Sequence, residues 1–131
     1  MFTTKKQPPI KSLIAHGCKI EGNFTFTEGL RVDGEVIGDL LASGDLPSIL
    51  VISESASVTG NVRAHHVIVN GRIQGAVFAK DLLELQPKAQ IEGPVEYRAL
   101  EMHQGALITG QLQPLMKDVD KPTLTLAASN G

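Results

Sequence analysis

The chain has 131 residues, 42% of them hydrophobic and 4% aromatic, and a formal net charge of −2. This length fits one domain and hardly two, and the charge excludes a strong global field that would attract nucleic acid. No apolar run reaches the length of about 18 residues that a membrane-spanning helix needs, and the N-terminus lacks the apolar core of a secretory signal. The single cysteine, Cys18, cannot form an internal disulfide, which fits a reducing, cytoplasmic location.

The N-terminal segment, residues 1–11, is predicted to be a disordered tail. It begins with an apolar tip, Met1 and Phe2, followed by Lys5 and Lys6, and two prolines argue against a helix that runs into the domain. An apolar tip beside lysines suits an anionic membrane face, where each lysine contributes about 1 kcal/mol. We expect these four residues to contact the membrane, with a merely solubilising tail as the equal alternative.

A short pattern, apolar-x-Gly-x-apolar, recurs from Ile20 to Leu112, and a second pair of apolar residues falls between its copies. Its glycines are separated by 16, 22, 15, 18 and 17 residues, a noisy period near 17 with one insertion at Pro47. The glycines of the pattern are Gly22, Gly38, Gly60, Gly75, Gly93 and Gly110. Alternation of apolar and other residues predicts short strands, and such strands bury a face only if each coil stacks on the previous one.

Residues 12–114 are therefore predicted to form an all-β domain, a single-stranded parallel β-helix (a β-solenoid) of five to six coils of about 17 residues each. At the usual spacing between strands this tube would be about 25–30 Å tall. The glycines belong at bends, where φ is positive or a missing Cβ lets the chain turn. Residues 115–131, which include Pro, Thr, Ser, Asn and Gly, are predicted to be a second disordered tail.

Two adjacent histidines, His65 and His66, raise the question of a metal site. They fall at a corner between strands, and His16 and His103 lie at other positions of the repeat, so no third ligand comes into register. We predict that His65 and His66 are solvated corner residues and that the chain has no metal or other cofactor. Cys18 takes the inward place that alanines hold in later coils, which predicts a small buried hydrophobe.

The ordered series of these units resembles the bactofilins, which are bacterial polymer-forming cytoskeletal proteins. The resemblance rests on GCKIEGNFTFTEGLRVDGEVIGDL at 17–40, SVTGNVRAHHVIVNGRIQGAV at 57–77 and AQIEGPVEYRALEMHQGALITGQL at 89–112. It implies a right-handed helix, assembly into nonpolar filaments without nucleotide, and an association with cell shape and cell-wall synthesis. Cell-wall enzymes or their membrane partners are the implied clients, at the inner face of the cytoplasmic membrane.

The two ends of such a tube leave backbone N–H and C=O groups unpaired, and neither terminal segment has the length or periodicity of a helical cap. The ends are therefore predicted to join subunits, and like-to-like contacts, head to head and tail to tail, would give a filament without polarity. The predicted contact residues are Ile14, Ile20, Phe24 and Phe26 at the N-terminal end and Leu100, Met102, Ile108 and Leu112 at the C-terminal end.

Two other classes of function stay open at this point. One is a solenoid enzyme, either carbohydrate-active or acyltransferase-like. Scattered outward carboxylates, tight corners without loops to wall a cleft, and the absence of a steady hexapeptide repeat disfavour it. The other is a non-polymerising binding scaffold whose ends are protected. Because no Gly-rich phosphate loop is present, nucleotide-driven assembly has no support, and we expect a structural protein and not an enzyme.

Overall fold

The structure is a computed structural model, and it describes residues 8–115 and 123–126. Within these residues no helix is long and apolar enough to cross a membrane. The strands, in chain order, are β1 (Ser12–Ile14), β2 (Lys19–Glu21), β3 (Phe24–Phe26), β4 (Gly29–Val32), β5 (Glu35–Ile37), β6 (Leu40–Ala42), β7 (Ile49–Ile52), β8 (Ser57–Thr59), β9 (Val62–Val69), β10 (Arg72–Gln74), β11 (Val77–Leu85), β12 (Gln90–Glu92), β13 (Val95–Met102), β14 (Leu107–Thr109), β15 (Leu112–Pro114) and β16 (Thr123–Leu126).

Parallel pairing arranges these strands into three faces of a tube. The first face contains β1, β4, β7, the later halves of β9, β11 and β13, and then β16. The second face contains β2, β5, β8, β10, β12 and β14. The third face contains β3, β6, the earlier halves of β9, β11 and β13, and β15. The second face has 6 strands, one per coil, so the predicted all-β parallel solenoid is confirmed.

Equivalent residues of successive coils form buried columns inside the tube. The second-face column comprises Val36, Val58, Ile73 and Ile91, and the first-face column comprises Leu30, Leu50, Val67, Leu83 and Leu100. All of these side chains are buried, and burial of each contributes about 1.5–3 kcal/mol. Aliphatic side chains fill both columns, in agreement with the aromatic-poor composition.

A column of glycines forms the corner between the second and the third face. Its members have φ between +130° and +156°, and they are Gly22, Gly38, Gly60, Gly75, Gly93 and Gly110. From Gly38 upward, a Cβ on each glycine would collide with the carbonyl oxygen of the glycine one coil below. At Gly22, which is the first, that space is open. The corner therefore requires glycine for its backbone conformation and, above the first coil, also for space.

A ladder of polar side chains follows the glycine column. The backbone N–H of Asp39 donates to Asn23 Oδ1 at 3.1 Å, that of Asn61 to Asp39 Oδ1 at 2.9 Å, and that of Ala76 to Asn61 Oδ1 at 2.9 Å. Ala76 has no side-chain acceptor, but the residue above it is Pro94, which has no N–H to satisfy. The ladder thus ends at the coil in which Pro94 lacks a backbone N–H to donate, a detail that the repeat pattern did not reveal.

Cys18 is exposed, which corrects the prediction that its side chain is buried. Its turn matches the later ones, since Cys18 N donates to Ala15 O at 3.0 Å just as Ala56 N donates to Ser53 O at 3.0 Å. Ala56, in the corresponding place of the third coil, is buried. The difference arises because Cys18 lies on the first coil, where the described residues place no coil beneath it.

Strand β16 lies inside the segment, 115–131, that was predicted to be a disordered tail. It pairs in parallel with the later half of β13, with Leu100 opposite Leu124 and Met102 opposite Leu126. Alternating Leu and Thr favour a strand, and the edge of β13 offers unpaired backbone groups. The first face therefore continues one rung further than the other two. The remaining tail residues, 1–7, 116–122 and 127–131, lie outside the described residues.

We expect Gly75→Ala to lower the free energy of unfolding more than Gly22→Ala does. Both substitutions place a Cβ at positive φ, which costs about 1–3 kcal/mol, but only Gly75→Ala adds a collision, with the Gly60 carbonyl. Urea unfolding followed by circular dichroism measures the difference. Equal losses in the two variants would show that space between the coils is not limiting.

Candidate polymer interfaces

The N-terminal end of the tube is the first coil, formed by β1, β2 and β3. Each of these strands pairs with the coil above, and in the described part of the chain none of them pairs with anything below. As far as the described residues go, their lower edges therefore have no strand partner, which is the condition under which strands from another chain pair.

The structure brings all four predicted N-terminal contact residues onto this first coil. Ile14 and Phe26 are buried, whereas Ile20 and Phe24 are half-buried and pack against the core from below. Ile20 and Phe24 consequently keep apolar surface at the end of the tube. Ile14 and Phe26 belong to the interior of the subunit.

At the C-terminal end the predicted residues separate into two pairs. Ile108 on β14 is half-buried and Leu112 on β15 is 48% exposed, and these strands are the last rungs of the second and third faces. Leu100 and Met102 lie on β13, one rung below β16. Leu124 and Leu126 alternate with threonines inside the segment that was predicted to be a disordered tail, and this alternation was the sequence signal for the extra rung.

Charged side chains lie along the rim of the N-terminal end and pair locally. Lys11 Nζ contacts Glu28 Oε2 at 2.8 Å, and Lys19 Nζ contacts Glu21 Oε2 at 3.3 Å. The lysines are more than half exposed, so each pair contributes less than about 1 kcal/mol. Near the opposite end, burial raises the pKa of the Tyr97 phenol, which therefore stays neutral.

The two adjacent histidines contact different neighbours. His65 Nδ1 lies 2.8 Å from Ser48 Oγ, and the same oxygen accepts a hydrogen bond from His65 N at 3.0 Å. Ser48 is buried, so this contact fastens the loop of residues 43–48 onto the corner. His66 lies on the first face beside Glu84. Both rings are half-buried rather than fully solvated, and they do not converge on a common point.

The four residues predicted to contact a membrane, Met1, Phe2, Lys5 and Lys6, lie outside the described residues.

The sides of the tube offer an open depression rather than an enclosed cleft. It follows the corner between the first and second faces, where Asp33, Ser53 and Asn70 contribute to its lining. Nearby surface carboxylates form cross-coil pairs, such as Glu54 with Lys88 at 2.7 Å and Glu92 with Arg72 at 3.2 Å. Nothing in this arrangement encloses a substrate in the way that ligand sites usually do.

These features define a structural β-solenoid, a tube filled by its own side chains and open at strand edges. A sequence profile described as "Bactofilin: Polymer-forming cytoskeletal" matches residues 12–113. The chain belongs to the bactofilin family, whose members are structural cytoskeletal proteins that polymerise with themselves. Bactofilin BacO of Myxococcus xanthus (strain DK1622) is 25% identical over 104 residues, which cover 73% of this chain and 82% of that protein. No solved structure matches the chain.

Proposed function

We propose that this chain assembles end to end into nonpolar filaments without nucleotide, and that the filaments scaffold cell-shape or cell-wall factors at the cytoplasmic membrane. The observation that carries the proposal is the open first coil, whose three strands each pair on one side only among the described residues. The pairing groups are present in the folded subunit, so no bound nucleotide is needed to create them. Membership of a polymer-forming family supports the same reading.

Like-to-like contacts account for a filament without polarity. A first coil that meets a second first coil forms an isologous contact, in which the same residues face each other across a two-fold axis. Ile20 and Phe24 would supply apolar surface there, and Ile108 and Leu112 would do so at the opposite end. Two different isologous contacts alternate along such a filament, and each one can be blocked separately.

Arginine substitutions at the two ends distinguish a nonpolar filament, with like-to-like contacts, from a polar filament, with head-to-tail contacts. Phe24→Arg should leave dimers joined through their C-terminal ends, and Leu112→Arg should leave dimers joined through their N-terminal ends, because a buried unpaired charge is unfavourable at the contact. The double variant should be monomeric. Negative-stain electron microscopy and light scattering measure the assemblies, with circular dichroism to confirm β structure.

The matched control is Ile37→Arg, which adds the same charge at an exposed position on the side of the tube. It should still form long filaments. If either end variant alone gives monomers, the filament is polar and its contacts are head to tail. If both variants form normal filaments, the ends are not the contacts.

Cys18 reports on the N-terminal contact without any further change, since it is exposed and lies on the first coil. We expect its reaction with a maleimide to be slowed in Leu112→Arg dimers, which join through this end. In Phe24→Arg dimers, which join through the other end, the reaction should proceed at the rate of the monomer. Equal rates in both dimers would place Cys18 outside the contact.

The N-terminal tail supports the membrane part of the proposal. An apolar tip with lysines binds an anionic surface weakly, at about 1 kcal/mol per lysine, but a filament presents one tail for every subunit. The combined attachment is then firm although each single attachment is weak. A filament held in this way would give cell-wall enzymes or their membrane partners a common platform.

We expect deletion of residues 1–7 to abolish co-sedimentation of filaments with vesicles that contain anionic lipid, while filaments still form. Replacement of Lys5 and Lys6 by Ser should weaken binding in the same assay, and neutral phosphatidylcholine vesicles serve as the control. Binding of the monomeric double variant should be much weaker than that of filaments. Undiminished sedimentation of the truncated chain would assign membrane contact to another part of the protein.

A further inference from the structure

The outer side of the first face carries a group of side chains that the polymer contacts do not use. Glu84 lies on β11, Glu101 lies opposite it on β13, and His103 follows β13. One carboxylate oxygen from each glutamate and one ring nitrogen of His103 all lie within 4.8 Å of one another. All three side chains are half-buried. Two adjacent coils therefore bring three potential metal ligands to one point.

The local contacts leave the charge of this group unbalanced. Glu84 Oε2 accepts a hydrogen bond from Gln86 Nε2 at 2.7 Å, and Glu84 Oε1 lies 3.5 Å from His66 Nε2. Glu101 Oε2 lies 3.4 Å from His103 Nε2. Two carboxylates directly opposite each other on neighbouring strands repel, and a neutral amide does not cancel that repulsion. A cation at this point would.

The histidine nitrogens supply an independent observation. Nε2 of His66 and Nε2 of His103 are enclosed by protein atoms, yet neither has a hydrogen-bond partner. An enclosed nitrogen without a partner is costly. Nε2 of His103 lies 3.4 Å from Glu101 Oε2, a separation that one bound metal ion could bridge.

We propose that Glu84, Glu101 and His103 form a binding site for a divalent transition-metal ion, with zinc as the ion that fits the ligand set. One imidazole and two carboxylates suit zinc, whereas calcium and magnesium take oxygen ligands in larger number. Zinc bonds of about 2.0–2.2 Å place neighbouring ligands roughly 3.4 Å apart, so small side-chain movements close the group around the ion. A water molecule would complete four-coordination, and His66 Nε2 lies 3.5 Å from Glu84 Oε1 on the adjoining coil.

Such an ion would join the fifth and sixth coils from outside the core. Glu84 belongs to one coil and Glu101 with His103 to the next, so a bound ion adds a cross-link next to the C-terminal end. Because the ion binds only the folded arrangement, its binding energy adds to the stability of the subunit. This site does not depend on filament formation and is tested separately from it.

The test uses the full chain without a histidine tag, stripped with a chelator and then titrated with zinc against a chromophoric competitor. We expect one zinc ion per chain, and a rise in the unfolding temperature when zinc is added. Glu101→Gln and His103→Ala should each abolish stoichiometric binding and the thermal shift. Glu35→Gln and His16→Ala, at exposed positions elsewhere on the tube, are matched controls and should retain both.

Two results would overturn the proposal. Absence of zinc binding by the wild-type chain would show that the three side chains do not form a metal site. Equal zinc binding by all the variants would show that the ion binds adventitiously elsewhere. Circular dichroism establishes that each variant is folded, and Glu84→Gln provides a third ligand variant if His103→Ala perturbs the turn.

Discussion

The in-register hydrogen bonding of each coil to the next is the constraint on which the rest of the structure depends. It fixes the spacing between coils, and that spacing leaves no space for a Cβ on Gly60 or Gly75, because the carbonyl group of the coil below already lies there. It also brings Asn61 within 2.9 Å of the Ala76 N–H and stacks Val58 directly on Ile73. Glycine corners, polar ladder and core columns are thus three consequences of one register.

The same constraint determines which backbone groups are paired at the ends of the tube. Inside the tube each strand satisfies its backbone groups on both sides, whereas a strand of the first coil does so only on its upper side among the described residues. A two-fold axis that passes through the middle of a face reverses the strand direction on that face. Strands that are parallel within a subunit would then meet as antiparallel strands between subunits, a pairing that is at least as stable. Only the face that the axis crosses can pair with the same face of the partner subunit. Each of the two remaining faces then meets the other one in the partner.

The period of the sequence was sufficient to predict the fold, because residues that lie one repeat apart in the sequence stack in the same column of a solenoid. Gly75 and Ile73 could be placed at a corner and in the core from their spacing alone. The exposure of Cys18 was not predicted, because the local pattern gives the inward register of a residue but not whether another coil lies beneath it. The repeat itself places Glu84 opposite Glu101, but it does not predict the approach of His103, because His103 follows the end of β13, where the strand alternation stops.

Strand β16 gives the two ends of the tube different shapes. It extends the first face by one rung above β13, while β14 and β15 end the other two faces one coil lower. Two such ends related by a two-fold axis through the first face would meet at β16 first and leave a gap of two rungs on the other faces. An axis through the second or the third face would place β16 of each subunit against a lower face of its partner and would leave a gap of one rung on the face that the axis crosses. If the C-terminal ends meet in this way, the step would disfavour one of the three possible two-fold axes and permit the other two. In the proposed tail-to-tail contact, β16 would therefore restrict the angular register between the two subunits.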